Sequence, residues 1–284
     1  MRRKTKVIIY LLFFIGIIIF AFVIQTFPKD DYTVTFVDVG QGDCSVIKSK
    51  NNCVLVDAGT RKDARAVRIA LDRLSVKSID AIVLSHLDSD HISGTSRLIN
   101  DYEVKKIITS ETDAKYLPES TDVDELNTAL ELKNIPLKKV KSGDSFKAGD
   151  IGLSVLSPCK EYSDSNKDSA VVRVTLGKRS LMFTGDITSD VEADIINNHK
   201  NISSDILKAA HHGSRTSTSG DFLNAVNPSF SVVSVSDYNT YNLPNLETMN
   251  RLYGYGCKVY RTDEMGDITF HFKNGKIDVE TEKA

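Results

Sequence analysis

No two of the four cysteines form a CxxC pair. Cys44, Cys53, Cys159 and Cys257 are scattered along the chain, which argues against a structural zinc knuckle. No internal repeat and no low-complexity tract is present, so neither a solenoid nor a long disordered linker is expected. Missing too is any cluster of lysine and arginine with interleaved aromatics, which a groove gripping a nucleic-acid strand would normally show. No serine stands in a Gly-x-Ser-x-Gly turn, so a serine hydrolase is not indicated. Glycine, apolar and charged fractions are ordinary, and 284 residues suffice for one large domain or two small ones with a substantial core.

One absence is local. Between Val7 and Phe27 there is no charged residue, and that apolar run is about the length needed to cross a bilayer as a helix. The following IQTFPKDD offers no small-x-small cleavage site, and no cysteine lies close enough to suggest lipid attachment. Residues 1–28 therefore read as a basic start and an uncleaved transmembrane signal anchor, with a cleaved or lipid-attached export signal as the alternative. Arg2, Arg3, Lys4 and Lys6 should stay in the cytoplasm and leave the remainder outside, a single-pass topology at the cell membrane. Residues 29–32 read as a linker, and 33–284 as one domain. Removing those four cations from 36 Lys+Arg leaves 32 against 38 Asp+Glu, a formal charge of −6 outside the membrane. That opposes non-specific attraction to nucleic acid. Export permits a disulfide between Cys44 and Cys53, on adjacent expected strands; buried free thiols are the alternative.

After the linker, TVTFVDVG, CSVIKS and NCVLVDAG read as strands separated by GQGD and KNN turns. ARAVRIALDRL places Ala64, Val67, Leu71 and Leu74 on one helical face. AIVLS is a short continuous apolar strand, as expected where both faces are covered. A helix from near Ile92, the strand KKIITS and the helix DVDELNTALELKN follow. SAVVRVTL and SLMFTGD make a hairpin across GKR, and SDVEADIINN is helical with Ser189 as its expected N-cap. Strands and helices alternate to the end. The pattern predicts an α/β, four-layer αββα sandwich.

At 85–94 the chain reads SHLDSDHISG, with two histidines and two aspartates within six residues directly after an apolar strand. Desolvating such groups is costly unless something neutralises them. Three further apolar strands end the same way: Asp57 ends VLVDAG, Asp186 ends LMFTGD, and His211 and His212 end ILKAAHHGS. A metal site accounts for all four clusters, because divalent cations neutralise carboxylates and accept imidazole nitrogen. Spacing favours two ions: His86 and Asp88 can point one way, Asp90 and His91 another, and Asp186 can bridge. His199 and His271 read as surface and strand residues, and Arg215 as a phosphate contact or a solvated side chain.

HLDSDH resembles the HxHxDH signature of the metallo-β-lactamase superfamily in an HxDxDH form. FVDVGQGDCSVI, LVDAG, NKDSAVVRV, FTGD and HHGS follow the order seen in the hydrolase domain of ComEC-type DNA-uptake competence proteins. The resemblance covers roughly residues 33–265. It implies a dinuclear centre of Zn²⁺ or Mn²⁺ and hydrolytic chemistry. Carried over by position, His86 and Asp88 would hold the first metal, Asp90 and His91 the second, and Asp186 would bridge. One of His211 and His212 would be the last ligand; His212, which precedes Gly213, is preferred. His211 would then act on substrate, with Asp90 and Asp57 as the other catalytic candidates and Asp57 supporting the site. Many superfamily members place a third histidine on the first metal. SNKDS stands there instead, so Asn166, Asp168 or Ser169 would complete or line that half, and Ser214 would lie nearby. The competence proteins also carry a many-helix channel, whereas this chain shows one anchor.

The expected activity is hydrolysis of a phosphodiester, with DNA as the substrate the resemblance implies and a phosphocholine-bearing polymer as a second phosphodiester. Hydrolysis of a β-lactam, lactone or ester, or a membrane-tethered binding module with a decayed site, are the other classes.

Overall fold

The computed structural model describes residues 10, 12–16, 31–111 and 120–283. Two compact units are present, Met1–Asp30 and Asp31–Ala284. Most of the expected membrane anchor lies outside the described residues. Tyr10 and the stretch 12–16 are helical, and among the described residues no helix is long and apolar enough to cross a membrane.

The second unit is built on two large sheets. In spatial order the first runs Lys276–Thr281, Ile268–Lys273, Asp31–Phe36, Ser45–Lys48, Cys53–Val56, Ala81–Leu84, Ile107–Ser110 and Leu137–Val140. The second runs Lys258–Arg261, Phe230–Val233, Ile206–Lys208, Arg179–Phe183, Val171–Leu176, Ile151–Ser157 and Ser145–Ala148. Each sheet is antiparallel on one side and parallel on the other. The parallel strands Cys53–Val56 and Ala81–Leu84 are buried at every residue, which is why they read as unbroken apolar runs.

Three apolar clusters separate four layers. The central one joins the facing sheets and includes Phe36, whose ring stacks on Phe183 at 5.7 Å and meets Phe270 edge-on at 5.9 Å. A second lies between the first sheet and helices Ala64–Arg73, Thr95–Asp101 and Thr121–Lys133, with Val67, Leu71, Leu98 and Leu130 among its members. The third lies between the second sheet and helices Ser189–Asn198, Gly220–Val226 and Leu246–Tyr255, through Val191, Ile195, Phe222 and Leu252. The layering is αββα.

Several local expectations change. The first strand begins at Asp31, inside the expected linker, because Asp31 and Tyr32 pair with Lys273 and Phe272. The helix expected from near Ile92 already starts at Ser89, one residue after the extended Asp88. Thr188, not Ser189, is the N-cap of Ser189–Asn198. Cys44 and Cys53 are free thiols, both buried, and burial pushes the Cys53 thiol up to about 12.

Parallel strands all deliver their carboxyl ends to one edge, where open α/β sheets mount their ligands. Here the edges of both sheets meet. The backbone N–H of Ala170 donates to the Ser85 carbonyl at 2.7 Å. Gly185 (φ +51°) lies so close that a β-carbon there would come within 2.8 Å of Ser85 Cβ.

Because Phe36 is fully buried between the sheets, Phe36→Ala is expected to cost about 3–5 kcal/mol. Urea unfolding followed by circular dichroism measures this. A change below about 1 kcal/mol would contradict the central core described.

Candidate metal centre

Four strand ends supply the site. Asp57 follows Cys53–Val56, His86 follows Ala81–Leu84, Asp186 follows Arg179–Phe183, and the pair His211 and His212 follows Ile206–Lys208. The short helix Ser89–Ile92 turns Asp90 and His91 back toward the same point. Asp57, His211 and His212 all adopt left-handed backbone, at φ +59°, +51° and +51°. Non-glycine residues hold such conformations only where surrounding structure over-determines them, and they cluster at functional sites.

Second-layer hydrogen bonds set the imidazole orientations. The His91 Nδ1–H donates to Asp57 Oδ2 at 3.1 Å. Asp57 also accepts from the Ser85 backbone N–H at 2.7 Å and from Ser85 Oγ at 2.9 Å. With its proton given to Asp57, Ser85 Oγ is left to accept from His86 Nδ1–H at 3.0 Å. The His212 Nδ1–H donates to the Ser234 carbonyl at 2.9 Å. Each ring therefore turns its Nε2 toward a common space, the arrangement seen at metal-ligating histidines.

That space fits divalent cations. Nε2 of His86, His91 and His212 and Oδ1 of Asp186 are buried without a hydrogen-bond partner. His91 Nε2 lies 3.6 Å from Asp186 Oδ1, and His212 Nε2 lies 3.6 Å from Asp186 Oδ2 and 3.4 Å from Asp90 Oδ2. These gaps are long for hydrogen bonds and match the spacing of tetrahedral ligands, which at about 2.1 Å from an ion stand about 3.4 Å apart. Two groupings face this space, His86, His91 and Asp186, and Asp90, His91 and His212, while a third, Asp43, Asp57 and His91, lies behind it. His91 belongs to all three, and Asp186 turns one oxygen to each side. Asp88 stands at the rim, its Oδ2 3.7 Å from His86 Nε2.

The paired histidines separate sharply. His212 is buried among the donors, whereas His211 is half-buried, with Nε2 3.7 Å from Asp186 Oδ2 and Nδ1 unpartnered. Ser169 sits behind His86, its Oγ 3.4 Å from His86 Nδ1 and accepting from the Asp186 backbone N–H at 3.3 Å. Asn166 meets this region through its carbonyl, which accepts from Ser169 Oγ. Asp168 turns away to accept from the Tyr162 N–H, and Ser214 bonds Thr216. His199 lies against Ser142 and the Leu156 carbonyl, and His271 pairs with Glu280.

Three contributors escaped the sequence reading. Ser165 Oγ donates to Asp88 Oδ1 at 2.8 Å. Asp43 lies behind the second grouping, 3.7 Å from His212 Nδ1 and 3.9 Å from His91 Nδ1, and Lys208, itself buried, pairs with Asp43. Their sequence signals are the SNKDS block, the GQGD turn and a lysine at the end of an apolar strand.

The electrostatics agree with a cation site. Burial disfavours charge on His91 and His212, but Asp186 and the other carboxylates outweigh it and raise both pKa values, that of His91 well above the usual range. Burial also disfavours the Asp186 carboxylate, yet His212 and His91 hold its pKa well below normal. Burial and neighbouring His91 lower that of His86.

Fold and donor set define a class, and residues 37–236 match the metallo-beta-lactamase superfamily model; the chain belongs to that superfamily. Within it, the chain is 28% identical over 260 residues to ComE operon protein 3 of Bacillus subtilis, covering 85% of this chain and 33% of that protein. It is 30% identical over 256 residues to competence protein ComA of Neisseria gonorrhoeae, covering 89% and 34%. The chain thus spans about a third of the length of these relatives. A solved structure of the metallo-beta-lactamase fold protein YhfI from Bacillus subtilis superposes with a TM-score of 0.56 at 13% identity, covering 88% of this chain and 100% of that one.

Asp57→Ala removes the acceptor that orients His91 directly and His86 through Ser85. Zn²⁺ affinity is expected to fall about 10–100-fold, measured by chelator competition; unchanged affinity would contradict the orienting role. The raised pKa values of His91 and His212 mean that an entering ion must displace protons. Affinity is therefore expected to fall on acidification and to keep rising above pH 7, where ordinary histidines are already neutral. A flat titration would contradict that proton release.

Proposed function

We propose that this superfamily member is a membrane-tethered, outward-facing phosphodiesterase that uses two divalent metal ions, Zn²⁺ or Mn²⁺, with DNA foremost among its substrates. The observation that carries the reading is the convergence of three buried, unpartnered imidazole nitrogens on the carboxylates of Asp90 and Asp186. Likeness to proteins named for competence supports DNA. The basic start and the uncharged run Val7–Phe27 support the anchor and its orientation.

In this reading His86 and Asp88 would hold the first metal, Asp90, His91 and His212 the second, and Asp186 would serve both. Bound there, the ions would supply a hydrolytic nucleophile at neutral pH and offset charge developing on the phosphoryl oxygens. Asp57 keeps His91 and, through Ser85, His86 aimed. His211, half-buried beside Asp186, would hand a proton to the leaving oxygen.

Elemental analysis is expected to find close to two divalent ions per chain, with a sharp fall in Asp186→Ala. Bis-p-nitrophenyl phosphate should be hydrolysed with Mn²⁺. DNA cleavage should be weak and strongly salt-sensitive, given the acidic surface. His212→Ala should lose metal and activity together, whereas His211→Ala should keep metal and lose turnover. Turnover of nitrocefin or a lactone far faster than any phosphodiester would overturn the substrate class, and the reverse histidine pattern would overturn the assigned roles. Protease added to intact cells should remove the bulk of the chain; full protection until permeabilisation would refute the orientation.

A further inference from the structure

Two tyrosines beside the metal centre stand almost entirely in water. Tyr238 is 88% exposed and Tyr241 70% exposed. They lie in the segment 234–245, between strand Phe230–Val233 and helix Leu246–Tyr255. Neither ring belongs to an apolar cluster of the fold.

The backbone carrying them is fixed. Asn239 Nδ2 donates to the carbonyls of Ser236 and Leu243, and its Oδ1 accepts from the N–H groups of Tyr241 and Leu243. Both ends of the segment are tied to the site. At the start, the Ser234 carbonyl accepts from His212, and the Ser236 N–H donates to Gln41 Oε1 at 3.4 Å. At the end, the Asn245 N–H donates to the Gly213 carbonyl at 3.0 Å, and Asn245 Oδ1 accepts from the Arg215 N–H at 2.8 Å. Pro244 packs against Gly213 so closely that a β-carbon there would come within 2.7 Å of it. The segment is therefore a stiff rim, and Arg215, itself exposed, sits at its end two residues beyond Gly213.

We propose that Tyr238 and Tyr241 form a stacking platform for the bases of a single-stranded nucleic acid whose backbone enters the metal centre, with Arg215, at the end of the same segment, as a phosphate contact. Exposed aromatic rings on a fixed backbone suit flat bases, and base stacking on such side chains is tolerant of sequence. A quaternary ammonium would instead call for a cage that encloses the cation with several aromatic faces, and these two rings are too exposed to form one. Arg215 supplies the positive charge that an anionic backbone needs on an otherwise acidic domain. The inference rests on the phosphodiesterase reading and names where its substrate would be gripped.

The test uses the full-length, metal-loaded protein and two labelled probes of equal length and charge: a phosphorothioate-linked oligothymidylate and its abasic counterpart. Fluorescence anisotropy is expected to show about tenfold tighter binding of the base-bearing probe, in line with one stacked base. Because the chain has no tryptophan and ten tyrosines, the part of the tyrosine quenching by an unlabelled oligothymidylate that the double variant loses reports the stacking. The double variant Tyr238→Ala/Tyr241→Ala should lose most of the preference and the quenching while keeping its metal content, and Tyr238→Phe/Tyr241→Phe should keep the preference. Equal binding of both probes by wild type, or a preference that survives the alanine variant, would overturn the proposal. So would phosphocholine quenching where oligothymidylate does not. If neither probe binds while bis-p-nitrophenyl phosphate is still hydrolysed, the platform is refuted and the enzyme reading stands.

Discussion

The hydrogen bond from His91 to Asp57 is the contact on which the site depends. It joins a fully buried imidazole to a buried carboxylate, and through Ser85 it also reaches His86. A carboxylate so placed is expensive to desolvate unless its lone pairs are used. Asp57 uses them on the Ser85 backbone, the Ser85 hydroxyl and His91. In doing so it fixes both rings with Nε2 facing the common space. Without that contact the donors would be near one another but not aimed.

Sheet architecture makes the contact possible. Asp57 and His86 leave neighbouring parallel strands in the same direction, so they emerge side by side. The second sheet repeats the device with Asp186 and the His211–His212 turn. Packing the sheets face to face through Phe36, Phe183 and Phe270 then brings the two edges together. Small residues keep the gap closed: Gly185 against Ser85, and Gly42, where a β-carbon would meet the Asp90 carbonyl at 2.4 Å. The consequence is a dense acidic and imidazole cluster whose only buried ammonium is Lys208, paired with Asp43. The pKa directions express the same balance: neighbouring carboxylates raise those of His91 and His212, while burial and His91 lower that of His86.

Much of this was legible in advance. Apolar strands ending in Asp or His name the donors, because strands buried on both faces tolerate such residues only at their ends. Boundaries were less legible. Asp31 enters the sheet because it pairs with Lys273, which no local pattern announces. Ser189 looked like a cap, but the extended backbone falls at Thr188. The region 166–169 was read as one block of possible ligands, yet Ser169 supports His86 from behind while Asp168 turns to Tyr162.

The sequence by itself determined the superfamily motifs, the layer pattern and the inventory of donor side chains, because periodicity and spacing are local properties of the chain. Tertiary structure alone decided which donors share a cavity, which histidine of the pair faces inward, and that Asp43, Lys208, Ser165 and Ser234 stand behind them. It also set Tyr238 and Tyr241 on a rim tied to Gly213. Those outcomes depend on hydrogen-bond directions between groups far apart in sequence, such as His91 with Asp57, His212 with Ser234 and Ser165 with Asp88. Such directions exist only once the two sheets have closed on each other.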